Sequence, residues 1–159
     1  MILEQSNHYA VNKNPQHNLF SIDKLKVFLE LCFCQVYAQL PDCRLYWEQS
    51  RDIRNDLVHE SMGRNRFDNM VGNIHFANND LLNTADKLAK VWPLIDKLQS
   101  NFRKQFSAMP HQNLGYDEAM IQYFGSYGMK QFIRGKPVRF GYKVWSLNDH
   151  KRYCVDFQV

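Results

Sequence analysis

The residue types that could do chemistry gather after position 113. Gly115-Tyr116-Asp117-Glu118 sets two carboxylates side by side in a segment of strand character. Hard carboxylate oxygens suit Mg²⁺, which usually takes one or two of them along with water and phosphate. Two-metal phosphoryl transfer holds its ions about 3.5–4 Å apart and draws ligands from several strands. Successive strand residues point to opposite faces, so Asp117 and Glu118 do not readily serve one ion. A solvated strand-end carboxylate is the alternative.

Lys130, Arg134, Lys136, Arg139 and Lys143 follow, interleaved with Phe132, Phe140, Tyr142 and Trp145. Cations meet phosphates and rings stack on bases, so this mixture suits nucleic acid. A hairpin with a basic outer face and an aromatic inner face would give the same pattern. Arg64-Asn65-Arg66 opens a helical segment, where guanidinium groups can meet phosphate. Solvated or salt-bridged arginines are the alternative there. Trp47 and Trp92 read as core anchors. Cys32, Cys34, Cys43 and Cys154 form no CxxC, and the six histidines join no cysteine cluster, so no zinc site is assigned.

Helices must come first in the chain. Ser21 is a plausible N-cap with Asp23 in the first turn. Ile22, Leu25, Phe28, Leu29, Cys32 and Val36 recur at helical spacing until Pro41. Tyr46, Trp47, Ile53 and Leu57 suggest a shorter element, and Phe67, Met70, Val71 and Ile74 another helix. Pro93 fits a first helical turn, followed by Leu94, Ile95, Leu98, Phe102 and Phe106. Pro110 closes the helical part. The period then becomes two: Tyr142, Val144 and Ser146 in one strand, and Tyr153, Val155, Phe157 and Val159 in another. Asn148-Asp149-His150 supplies turn chemistry for a hairpin between them. Leu114–Met120 and Gln122–Phe124 read as an earlier strand.

Bulk properties agree with that plan. The chain has 159 residues, 45% apolar and 23% charged, in the range of a globular domain. No apolar run reaches the roughly 18–20 residues of a membrane-spanning helix. The first residues lack a signal-peptide pattern, so an intracellular protein is expected. The net charge of +4 is uneven. Residues 1–112 hold 13 basic and 12 acidic side chains, whereas 113–159 hold 7 and 4. The shift predicts a boundary near 110–113.

Several stretches, in order, resemble piggyBac-type transposases. Leu40-Pro-Asp-Cys-Arg-Leu-Tyr-Trp47 resembles the family's LP…YW segment. Met62-Gly-Arg-Asn-Arg-Phe67 and Ile74-His-Phe-Ala-Asn78 resemble its M-S-R-N-R-F…L-H-F-N block, with Gly63 where Ser is usual. Lys90-Val-Trp-Pro-Leu94, Asp117-Glu118-Ala-Met-Ile121, Phe124-Gly125, Lys130-Gln131, Lys136-Pro137 and Gly141-Tyr-Lys-Val-Trp145 continue the order. The resemblance covers about Leu19 to Val159.

The resemblance implies an α+β chain: an N-terminal tail over 1–18, a helical dimerisation and DNA-binding region over 19–112, and over 113–159 the first strands of an incomplete ribonuclease H-like domain. It implies a nuclear protein that binds DNA, with a possible homodimer and no membrane partner. In the family three aspartates hold two Mg²⁺ ions for phosphodiester cleavage and strand transfer. Asp117 stands at the first, as catalytic and metal-binding residue; Glu118 is not carried over as a ligand. The other two aspartates and the cysteine-rich zinc module are expected beyond Val159, since Asp149 and Asp156 fall too early. A fragment that is not catalytic alone is therefore expected. A domesticated DNA-binding or dimerisation module is the alternative. Backbone contacts are assigned to Lys130, Arg134, Lys136, Arg139 and Lys143, with Arg64 and Arg66 as a second site.

Overall fold

The computed structural model describes residues 1–38, 40–50, 52–107 and 113–159. Helices precede an antiparallel sheet, so the chain is α+β. It divides into two compact units, Met1–Asn83 and Thr84–Val159.

The first unit is helical. It holds α1 (Ile2–Lys13), α2 (Ile22–Tyr37), α3 (Asp56–Ser61) and α4 (Arg64–Val71), with short 3₁₀ turns at Cys43–Trp47 and Asn79–Leu81. Ser21 caps α2 through a bond from the Lys24 amide, and Asn55 caps α3 through one from Val58. Leu25, Phe28 and Leu31 give α2 its buried stripe. They join Tyr46, Val58, Met62, Phe67 and Met70 in one core. The Trp47 indole N–H donates to the Met62 carbonyl at 2.6 Å, and its ring lies 5.0 Å from that of Phe67. Trp47 is thus the anchor expected of it.

Residues 1–18, expected as a tail, carry α1, and that helix belongs to the core. Ala10 is buried. The Asn7 side chain clamps the Phe20 backbone, donating to its carbonyl at 3.0 Å and accepting from its amide at 2.8 Å. Ser6 Oγ accepts from the His75 amide at 3.0 Å, and Tyr9 stacks on the His75 ring at 3.7 Å.

The second unit holds α5 (Trp92–Ser107) and four strands: β1 (Leu114–Gln122), β2 (Gln131–Phe132), β3 (Phe140–Asp149) and β4 (Cys154–Gln158). All pairings are antiparallel, and β3 pairs with each of the other three. The expected β3–β4 hairpin forms around Asp149, whose Oδ1 accepts from the amides of Lys151 and Tyr153. The expected early strand forms as β1 but ends at Gln122, short of Phe124, and β2 is an element the periodicity did not announce. Pro93 lies in the first turn of α5.

The compact units part after Asn83, not at the composition shift near 110–113. The reason is packing: α5 is held to β4. Gln99 donates to the Phe157 carbonyl, Arg103 pairs with Asp156 at 2.6 Å, and the Phe102 ring meets Tyr153 and Phe157. Pro110, the expected helix stop, lies outside the described residues.

Candidate metal and nucleic-acid site

Register fixes the carboxylates. Asp117 pairs with Ser146 and Glu118 with Trp145 along β1–β3. Alternation then sends the two acidic side chains to opposite faces of the sheet. Asp117 is 80% exposed. Its Oδ1 accepts from the Glu118 amide at 2.7 Å, and no described residue bonds to its Oδ2.

Glu118 is committed elsewhere. Lys143 Nζ lies 2.7 Å from its Oε2, and Lys136 Nζ lies 3.7 Å from its Oε1. The hydrogen bond from Lys143 holds the Glu118 carboxyl below the usual glutamate range; desolvation opposes this, and the charges of Lys143 and Lys136 reinforce it. Lys143 also sits 4.1 Å over the Trp145 ring, which stacks on Tyr116.

Lys136 ties the loop between β2 and β3 back to β1. Its Nζ donates to the Glu118 carbonyl at 3.0 Å and lies 3.9 Å from Asp117 Oδ1. Two glycines permit this path. Gly135 has φ +92°, a conformation other residues avoid. At Gly141 a Cβ would collide with the carbonyl oxygen of Ile121, so only glycine lets β3 approach β1 there.

The five basic residues therefore divide. Lys136 and Lys143 face the acidic groups of β1. Lys130 Nζ donates to the carbonyls of Gly125 and Phe124 and lies 5.3 Å over Phe140. Arg134 and Arg139 are exposed. Neither has an ion pair among the described residues.

Arg64 and Arg66 stand at the start of α4, as expected. Arg64 is exposed and lines a surface depression with Trp47, His59 and Asn65. Arg66 is partly occupied: it lies 4.7 Å over the Phe20 ring and donates to the Leu19 carbonyl at 3.3 Å. These residues belong to the helical unit, and Asp117 to the other.

The donor set fits one ligand to a hard divalent cation and not a whole centre. Asp117 offers a free carboxylate oxygen. Among the described residues, no three His, Cys, Asp or Glu side chains form a group that could hold a metal. Sequence reasoning missed Ser146, whose Oγ donates to the Asp117 carbonyl at 3.3 Å. Only the strand register brings it there.

The sequence profile of the family described as Transposase IS4 matches residues 1–159. The chain belongs to that family, among its piggyBac-type members. Human PiggyBac transposable element-derived protein 3 is 42% identical over 146 residues, covering 91% of this chain and 24% of the relative. Human PiggyBac transposable element-derived protein 2 is 38% identical over 157 residues, 99% of this chain and 26% of the relative. The chain thus spans about a quarter of the length of these curated relatives. A solved piggyBac transposase synaptic complex with hairpin DNA superposes with a TM-score of 0.81 at 18% identity, covering 99% of this chain and 34% of that one. That likeness establishes the piggyBac transposase fold for the chain. No helix among the described residues is long and apolar enough to cross a membrane.

Proposed function

We propose that this piggyBac-type chain engages DNA and carries the first carboxylate of the family's metal-assisted phosphodiester chemistry. The observation that carries the reading is the loop between β2 and β3. Lys136 brings it to within 3.9 Å of Asp117, and the loop bears the exposed Arg134 and Arg139. A consecutive chain spans at most about 3.3–3.6 Å per residue, so the Cα of Arg134 lies within roughly 7 Å of that of Lys136. Arg134 and Arg139 thus stand on the same loop whose Lys136 reaches Asp117.

In this reading Arg134 and Arg139 make the first backbone contacts, and Lys130 contributes after loosening its carbonyl bonds. Such contacts position DNA without reading its sequence. Arg64 is a separate contact on the helical unit, with Arg66 the more constrained of the two. The Asp117 Oδ2 is the ligand atom. Mg²⁺, when bound, would supply Lewis-acid polarisation of the phosphate. The described carboxylates provide one ligand, so the chain alone is expected to hold DNA and not cut it. Self-association of the helical region and a nuclear location belong to the same proposal. Duplex-DNA binding across a salt series, with Arg134→Gln/Arg139→Gln beside the native chain, tests it.

A further inference from the structure

Residues 119–148 contain five lysines and arginines and no acidic residue. It is the longest stretch of the chain without an acidic residue. It also exposes rings that a core would normally absorb. Phe132 is 56% exposed and Phe140 is 52% exposed. They sit directly opposite each other in the β2–β3 ladder, with ring centroids 4.8 Å apart. Directly opposed strand residues share a face, so both rings present themselves to the same side.

One cation meets this pair directly, and two more stand near it in the chain. Lys130 lies 5.3 Å over Phe140 and is braced by the carbonyls of Phe124 and Gly125. Arg139 precedes Phe140 in the chain, and Arg134 follows Phe132 by two residues; both are exposed. The Ile133 amide bonds to the Arg139 carbonyl at 2.9 Å, so the ladder continues to the base of the loop that carries the two arginines. Lys136 at the loop's centre returns to Asp117.

An exposed ring pair could await a protein surface or a nucleobase. The charge decides between them. A blunt duplex would use the cations and leave the rings without partners, because its bases are stacked inside. A strand with unpaired bases satisfies both: phosphates on Arg134 and Arg139, and a base face on Phe132 or Phe140. We infer that the Phe132–Phe140 pair, with Lys130 over Phe140 and with Arg134 and Arg139 in the loop that the pair closes, is a stacking site for unpaired nucleotides. This rests on the DNA reading above and specifies which form of DNA the site takes.

The test is fluorescence anisotropy with two labelled probes: a blunt duplex, and the same duplex carrying a short single-stranded extension. The full chain is compared with Phe132→Leu/Phe140→Leu, which keeps apolar volume and removes the rings. The native chain should bind the extended probe about tenfold more tightly, the effect of one stacked base at 1.4 kcal/mol within the usual 1–3 kcal/mol range. The leucine variant should lose that preference and keep the native affinity for the blunt duplex, which also reports that it is folded. Equal affinity of the native chain for both probes overturns the inference, as does a preference that the leucine variant retains. Failure to bind either probe at low salt removes the DNA reading itself. If the variant also loses blunt-duplex affinity, Phe132→Tyr/Phe140→Tyr replaces it: retained preference supports the site, and lost preference overturns it.

Discussion

Lys136 Nζ stands 3.9 Å from Asp117 Oδ1 and also donates to the Glu118 carbonyl at 3.0 Å, so one lysine pins the β2–β3 loop onto the strand that bears the candidate metal ligand. The consequence is competition. A cation already near the carboxylate lowers what a metal ion would gain there. Asp117 is 80% exposed, so the effect is near the aqueous limit of about 1 kcal/mol for unit charges at 4 Å. Lys136→Met should raise Mn²⁺ affinity about two- to fivefold. Paramagnetic broadening of amide signals near Asp117 checks this; equal broadening in both proteins would refute the competition.

Glu118 should titrate below ordinary glutamates. Its folded pKa is depressed, first by the Lys143 hydrogen bond. The stability it contributes is therefore present above the unfolded pKa and is lost as pH falls through the folded one. Carboxyl chemical shifts followed from neutral to acid pH should give Glu118 a midpoint under the usual range. Lys143→Met should move that midpoint up, because the larger share of the lowering leaves with the lysine.

Two substitutions on α2 separate core from surface. Leu31 is 2% exposed and Phe33 is 68% exposed, although they are two residues apart. Leu31→Ala should cost about 2–5 kcal/mol. Phe33→Ala should stay within about 0.5 kcal/mol. Urea unfolding followed by the fluorescence of Trp47, which packs on Phe67 in the same core, measures both.

The carboxylate arrangement predicts no turnover by this chain alone. Supercoiled plasmid incubated with the chain and Mg²⁺ should nick at the background rate, and Asp117→Ala should change nothing. Nicking that disappears with Asp117→Ala would contradict this.

Much of the helical unit was legible because local periodicity survives there. Leu25, Phe28, Phe67 and Met70 are buried, as their spacing demanded. The β3–β4 hairpin was legible for the same reason, with turn residues between two alternating runs. What escaped depends on partners distant in sequence. α1 is held by His75 and Phe20, and no local signal announces that Ser6 accepts a bond from the His75 amide 69 residues away. The boundary near 110–113 followed composition, whereas the structure follows the grip of Gln99 and Arg103 on β4.

The candidate site shows the same division. Asp117 and Glu118 were readable as residues and as opposite-facing neighbours. The basic run was readable as positive charge. Which lysines are spoken for was not: Lys143 pairs with Glu118 only because β1 and β3 align Glu118 with Trp145 and Met120 with Lys143. Charge counted along a chain does not show its cross-strand neutralisation.

The central claim is that the basic loop holds DNA through its phosphates, and the slope of log affinity against log salt tests it most directly. The native chain should bind duplex DNA with a steep negative slope, and Arg134→Gln/Arg139→Gln should reduce its magnitude by about 1.8, near 0.9 for each lost phosphate contact. Binding that ignores salt, or a slope that the double variant leaves unchanged, would contradict the account.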